Sequence, residues 1–535
     1  MIVVNFVEKY RKFVQKGNVY VTGKCFSENV LIEEDCLLKD LGHVFDAEQF
    51  ESKLSQYSGF YAVAINYGDK CFVAVDRVRS IPIFYSKNTS DIYISNDAEW
   101  VRQQVSDGSL DVRAEEELLS VGNVTGENTL FKKVKQLQAG EYLYVDIKEK
   151  KYITKRYFRF LHIEPKTSLA KDNYLNELDS VMNSVTRRLF SYAKGRQIVI
   201  PLSAGRDSRL IALKIKELGY ENVFCFTYGS TGNFESETSR TIAKQLGFPW
   251  VYIEYAEELW KKWFNSPERE EYYAMACNYA SVPHPQDWPA IWELKNRGFL
   301  QRDAVFVPGH CGAIAGGIIR HGVFSNIKPS IDDLIYEIEY YMGMCNISNK
   351  HFWEDKITRI REISHLTNEV SYVDAYENWM WEEYLAKYLI NSVRVYEFWG
   401  YDWWLPLCDS IHFWQAVPLK YRVRKLLLND YVDDMLYRRI TGKKMNENNI
   451  AKNIKRCKTS MIKIIRVMGL YKFLMRLIKI MKMKNNLGGI HGFVGMFSSE
   501  FVSANKKNVT NVNGLNSIWT LEEIRNIFKE RELGK

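Results

Sequence analysis

Ile198-Val-Ile-Pro-Leu-Ser-Ala-Gly-Arg-Asp-Ser-Arg-Leu-Ile211 is the stretch that decides the fold of this chain. An apolar run reads as a buried strand, a turn of small residues follows, and a helix opens behind it. Small residues let backbone amides approach an anion closely. A helix N-terminus adds unpaired N–H groups and a partial positive charge. Ser203 and Ser208 add hydroxyl donors. Asp207 is a poor neighbour for a bare phosphate, so its presence implies a metal-bound nucleotide with Mg²⁺ between the two. A Walker loop is excluded, because G-x-x-x-x-G-K-[ST] is missing. The plain alternative is an ordinary turn between strand and helix, and the flanking pattern on both sides argues against it.

Downstream of the loop the alternation continues. Ser208–Leu218 reads as a helix stopped by Gly219, Asn222–Tyr228 as a strand, Ser236–Leu246 as a helix ending at Gly247, and Trp250–Ile253 as a strand. Upstream, Asp172–Phe190 has helical periodicity. This is the grammar of a doubly wound parallel sheet. Residues 1–160 instead read as mostly β, as in Tyr61-Ala-Val-Ala-Ile-Asn66, Cys71-Phe-Val-Ala-Val75 and Glu141-Tyr-Leu-Tyr-Val145. A linker lies near 160–170, and 330–445 look mainly helical. The expected division is 1–165, 170–450 and a basic helical extension over 451–535.

That extension holds eleven Lys or Arg and no Asp or Glu over 452–484. Several of these charges fall on one helix face, which allows peripheral contact with an anionic membrane or a lipid-linked substrate. The alternative is a packed helix with a basic outer face. Residues 484–516 read as loop, and Thr520-x-x-Glu523 reads as a capping box that starts a last helix.

The 535 residues carry 46% hydrophobic and 26% charged side chains and a net charge of +8, ordinary values for a soluble globular protein. The basic excess is local, so it is not a nucleic-acid signature. Nine cysteines are scattered without a C-x-x-C pair, which predicts free thiols and neither a zinc ribbon nor a disulfide framework. The N-terminus lacks a signal-peptide layout, and no apolar run approaches the length of about 18 residues that suggests a membrane span. A cytoplasmic protein is the expectation.

The loop resembles the S-G-G-x-D-S pyrophosphate loop of ATP pyrophosphatases, with Ala204 where the first Gly usually stands. That change is mild if φ at Ala204 is negative. Ser58-Gly-Phe-Tyr-Ala62, Val75-Asp-Arg77, Ile81-Pro-Ile-Phe-Tyr85, Ile94-Ser-Asn96 and the run from Thr129 to Tyr142 follow one another in order. Together they resemble the glutaminase-type domain of asparagine synthetases, and the likeness covers roughly 40–445. The resemblance implies an N-terminal-nucleophile-type, class II glutamine amidotransferase-like β-sandwich followed by a Rossmann-like ATP-pyrophosphatase α/β domain with helical additions. It also implies an AMP-forming carbon–nitrogen ligase that takes ATP and Mg²⁺. Active glutaminases of that class carry Cys directly after the initiator Met, whereas Ile2 stands here. Glutamine hydrolysis is therefore expected to be absent, as in β-lactam synthetase and lasso-peptide cyclases.

The resemblance assigns roles residue by residue. Ser203, Ala204, Gly205, Asp207, Ser208 and Gly309 would bind the nucleotide, and Asp207 would take the metal. Pro308-Gly-His-Cys-Gly-Ala313 aligns with S-G-x-G-[AS]-D. His310 then falls at a base position and Ala313 where a metal-binding Asp is usual. His310 would accept a proton from the attacking amine with a pKa suited to neutral pH, oriented by Asp402 or Glu397. Lys443 or Lys444, in a basic stretch after the late helices, would stabilise the departing pyrophosphate. Asp287-Trp-Pro289 matches a substrate-side D-x-P, or is an N-cap. Asp409 takes the last position of S-L-E-x-R-x-P-F-L-D, and Glu235 to Glu237 either meet ATP or cap a helix.

The expected substrates are a small-molecule, saccharide or peptide carboxylate and an amine, in surface-polysaccharide or natural-product assembly, without nucleic acid. One rival is an inactive scaffold or partner protein, favoured by Ile2, Ala204 and Ala313 together. The other is thiolation or adenylation of RNA, against which the sequence offers no basic, aromatic-interleaved face and no C-x-x-C.

Overall fold

The structure, a computed structural model, describes residues 1–9, 11–87, 91–312, 317, 331–345, 369–422, 425–443 and 492–533. Ala313, Lys444 and the basic segment 452–484 lie outside them.

The N-terminal part contains β1 (Ile2–Val4), β2 (Val14–Lys16), β3 (Val19–Ser27), β4 (Val30–Ile32), β5 (Tyr57–Asn66), β6 (Lys70–Val75), β7 (Phe84–Ser86), β8 (Ile92–Ser95), β9 (Val134–Gln136), β10 (Glu141–Asp146) and β11 (Lys151–Arg156). They form two sheets, ordered β1-β8-β7-β9 and β11-β10-β6-β5-β3-β2, with β4 on β3. Strand alternation decides which layer each side chain enters. On β5, Ala62 and Ala64 face the second sheet and join Val73, Val75, Ile83, Ile94 and Val145 in the sandwich interior. Tyr61, Val63 and Ile65 point the other way, onto α1 (Glu34–Leu41) and α2 (Ala47–Gln56). The other sheet is covered by α3 (Ala98–Gln104) and α4 (Val112–Val121). The result is the expected sandwich, clad by helices on both outer faces.

After α5 (Lys171–Ala193) come β12 (Ile198–Pro201), α6 (Arg206–Glu217), β13 (Val223–Gly229), α7 (Phe234–Leu246) and β14 (Trp250–Glu254). Next are α8 (Glu257–Phe264), α9 (Pro267–Cys277), α10 (Trp288–Asn296), β15 (Val305–Phe306) and β16 (Asp402–Trp403). The strands pair in the order β14-β13-β12-β15-β16, all parallel. The chain therefore winds one way from β12 to β14 and the other way from β15 to β16. The reversal between β12 and β15 is a topological switch point, where open α/β sheets leave a crevice at the strands' carboxyl ends. Gly247 stops α7 in the left-handed conformation, as its position in the sequence predicts.

The two parts share one core. Phe26 and Phe60 of the sandwich pack edge-on against Trp404, with ring centroids 5.7 and 4.7 Å away. Ser58 donates to Asp409 at 2.9 Å, and the buried Arg156 meets Glu382 at 3.0 Å.

Three expectations are corrected. The last helix spans Val512–Leu533, so Thr520 lies inside it, buried, and is not a cap. Its Leu521 and Ile524 belong to the cluster around α3 and α4, and this tertiary contact outweighs the local capping pattern. Residues 484–516 are not all loop, since Ser499–Asn505 is helical. The thiols are not all free: Cys311 and Cys408, separated by 97 positions, are joined with their Cα atoms 5.2 Å apart.

Candidate functional site

The crevice is built from the ends of β12 and β15. Leu202 leads into Ser203, and Gly205 is the N-cap of α6 without a side-chain cap of its own. The loop supplies its own bracing. Ser203 N–H donates to Ser208 Oγ at 3.1 Å, the two hydroxyls lie 3.1 Å apart, and Gly205 N–H donates to Ser203 Oγ at 3.0 Å. Ala204 avoids positive φ, so the alanine fits without strain. Behind the loop, Arg206 pairs with Asp433 at 2.6 Å, and Arg209 donates to Gly205 O at 3.0 Å.

The second wall is Pro308–Gly312, which follows β15. A Cβ on Gly309 would lie 2.9 Å from Ser208 N, and one on Gly312 would lie 2.9 Å from Asp207 Oδ1. The backbone contact leaves no room for a side chain at 309, and a methyl at 312 would have to displace the Asp207 carboxylate and the Leu407 side chain. The first-turn amides of α6, the Ser203 and Ser208 hydroxyls and this glycine-lined approach fit a phosphate chain. Asp207 fits as one ligand of a divalent ion carried in with that chain. Among the described residues no group of three His, Cys, Asp or Glu forms a metal cage.

Lys425 is the residue that sequence reasoning missed. Its ammonium lies 2.9 Å from Asp207 Oδ2 and 3.3 Å from Oδ1. Lys443, by contrast, is exposed and its backbone N–H reaches only Thr441 Oγ1 at 3.3 Å. The cation beside the loop thus comes from the start of the helix Leu426–Asn429. The only sequence signal was a lysine in front of three leucines, which reads as the edge of a core helix.

His310 follows Gly309 in the second wall, with Nε2 at 2.6 Å from Ser392 Oγ. Its surroundings push its pKa down to about 4 through burial, which corrects the expectation of a group titrating near neutrality. Its expected orienters are elsewhere. Asp402 opens β16 level with Val305 and pairs with Arg196 at 2.8 Å, at the end of the strands away from the crevice. Glu397 accepts from Arg11, Arg394 and Trp403. His284 stacks near Tyr388, with centroids 4.1 Å apart, and burial followed by the nearby His310 charge pushes its pKa to about 3. His284 Nε2 is buried without a hydrogen-bond partner among the described residues.

Asp287 stands at the N-cap position of α10, but its side chain makes no cap hydrogen bond. Instead its buried carboxylate accepts from Tyr228 and, at 2.5 Å, from Tyr396. Burial raises its pKa despite both hydroxyls. Asn233 caps α7 through Ser236 N–H, and Glu235 and Glu237 fall in the first helical turn. A separate cavity of about 720 Å³ lies between the sandwich, α9 and the C-terminal helix. Its charged lining is internally paired, as in Arg269–Glu523 and Arg11–Glu397, and it holds none of the loop residues. The crevice, and not this cavity, is the candidate site.

Residues 44–158 match a family model described as a glutamine amidotransferase domain. The chain is also similar to tRNA-specific 2-thiouridylase MnmA of Listeria welshimeri, 23% identical over 172 residues, covering 30% of this chain and 41% of that protein. The same enzyme of Streptococcus sanguinis is 24% identical over 149 residues, covering 26% and 36%. The chain thus spans about two-fifths of these relatives. Among solved structures, a glutamine phosphoribosylpyrophosphate amidotransferase from B. subtilis, complexed with ADP and GMP, overlaps 56% of this chain and 64% of its own. Identity there is 10% and the TM-score 0.19, too loose to compare residues. The fold is that of an amidotransferase-like sandwich followed by a doubly wound parallel sheet. Among the described residues no helix is long and apolar enough to cross a membrane.

Proposed function

We propose that this chain is an ATP-dependent, AMP- and pyrophosphate-forming synthetase that activates a carboxylate as an acyl-adenylate and passes the acyl group to an amine. One observation carries the reading: the serine-braced loop at the N-terminus of α6 opens at the β12/β15 switch point, beside Lys425 and against the glycines of the Pro308–Gly312 wall. The α6 amides, Ser203 and Ser208 hold the pyrophosphate portion. Lys425 shifts from Asp207 to the charge that develops on the α-phosphate and leaving group. Asp207 would hold Mg²⁺ carried in with ATP, which would supply further charge neutralisation there. His310, fixed by Ser392, stays neutral down to about pH 4. It accepts the amine's proton at the cost of weaker basicity.

The amine comes from a source other than glutamine in this reading. Cys25 and Cys71 of the sandwich are buried and their thiols are pushed upward by desolvation, which suits core packing and not nucleophilic attack. The acid and amine belong to surface-polysaccharide or natural-product chemistry, by analogy alone. The names of the curated relatives offer a second reading, ATP-dependent modification of tRNA.

ATP–pyrophosphate exchange tests both. A panel of sugar acids and amino acids should contain a substrate that drives exchange, and total tRNA should not. Should calorimetry at millimolar Mg²⁺ detect no ATP binding, the chain is a scaffold and the enzyme reading fails.

A further inference from the structure

We propose that Cys311 and Cys408 form a reversible redox site that controls how firmly the crevice wall is held against the nucleotide loop. Their Cα atoms lie 5.2 Å apart in a joined pair, although one follows β15 and the other follows β16. Cys311 stands next to His310 with φ of +73°, a left-handed conformation that a β-carbon disfavours by about 1–2 kcal/mol. Its neighbour Gly312 is wedged between two elements. A Cβ there would lie 2.9 Å from Asp207 Oδ1 on one side and 2.7 Å from Leu407 Cδ1 on the other. Leu407 is the residue before Cys408. The bond therefore pins the outer face of the wedge whose inner face touches the loop carboxylate.

Both cysteines are buried, at 2% and 7% exposure, so exchange requires the crevice wall to move. Oxidation proceeds by thiol–disulfide exchange with a low-molecular-weight disulfide. One cysteine thiolate attacks it, forming a mixed disulfide and releasing one small thiol. The second cysteine then displaces the other small thiol and closes the protein bond. Two electrons and two protons leave the protein, and two small thiols are formed. A dithiol reverses the step. With the bond closed, the wedge and the left-handed Cys311 are held in the arrangement that meets the loop. With it open, the wall gains freedom that nucleotide binding must remove.

The covalent half stands alone, whereas the coupling to nucleotide rests on the function proposed above. Full-length protein is incubated with oxidised glutathione or with dithiothreitol, denatured, alkylated and mapped by peptide mass. A linked 311–408 peptide after glutathione disulfide, and two alkylated peptides after dithiothreitol, are expected. Cys36, exposed and outside the bond, is the internal control for complete alkylation in the dithiothreitol sample. Free alkylation of both cysteines after oxidation overturns the bond. Calorimetry with ATP and Mg²⁺ then compares oxidised protein, reduced protein and the variants Cys408→Ser and Cys311→Ser. Reduced protein and whichever variant folds by circular dichroism should bind about tenfold more weakly, a change of about 1.4 kcal/mol. Equal affinity overturns the coupling. Absence of binding in every form overturns it together with the enzyme reading, and the alkylation map still decides the bond.

Discussion

Replacing Lys425 with methionine removes a charge and keeps most of the stem. The ammonium lies 2.9 Å from Asp207 Oδ2, and both side chains are mostly covered, at 23% and 18% exposure. Two unit charges about 4 Å apart attract by about 4 kcal/mol at an effective dielectric of 20, before desolvation and side-chain ordering are subtracted. Exposed pairs retain about 0–1 kcal/mol. This half-covered pair falls between, so Lys425→Met should cost about 1–2 kcal/mol of stability by chemical denaturation. The catalytic loss should be larger. Removing one donor aimed at developing charge costs about 10²–10³ in rate, or about 3–4 kcal/mol. Pyrophosphate release at saturating ATP should fall by that factor, while Lys443→Met should change neither quantity measurably. If Lys425→Met retains a third or more of the wild-type rate, Lys425 is a structural partner of Asp207 and the reasoning fails.

Adding a methyl at Gly312 places it 2.7 Å from Leu407 and 2.9 Å from Asp207. Gly312→Ala should cost about 1–3 kcal/mol and weaken ATP binding, whereas Gly108→Ala, with open space around it, should be neutral in the same melts. His284 is buried neutral, with its pKa lowered from 6.5 to about 3. The unfolded chain therefore takes up its proton first as pH falls. Stability is lost between about pH 6.5 and 3, on the order of 3–5 kcal/mol for this one group. His284→Phe, which keeps the ring against Tyr388, should flatten that part of a stability-versus-pH curve; an unchanged curve refutes the assignment. Leu521 is 1% exposed in the cluster around α3 and α4. Leu521→Ala should lower unfolding free energy by about 2–5 kcal/mol, and a loss below 1 kcal/mol would show that the C-terminal helix docks loosely. His310→Ala should leave pyrophosphate exchange intact and slow amide formation, as single-turnover assays would resolve.

The β12–loop–α6 unit was legible because a buried run, small turn residues and an amphipathic helix lie within fourteen consecutive positions. Local pattern and tertiary role agree there. β15 and β16 were not legible, since each pairs over only two residues and such a short run has no period. Asp402 does not reach the crevice for that reason: its strand register holds it at the starting end of the parallel strands. Lys425 and Ser392 approach the loops from segments whose sequences read as core helix, and contacts across 218 and 82 positions leave no periodic trace. The Cys311–Cys408 pair was invisible for the same reason. The capping pattern at Thr520 does not mark the start of the last helix, because packing carries that helix back to Val512.

The aromatic seam of Phe26 and Phe60 on Trp403 and Trp404 makes each half part of the other's interior. Cutting the chain between them would strip one wall from the parallel-sheet half and leave indoles facing water, so neither half is a free-standing module.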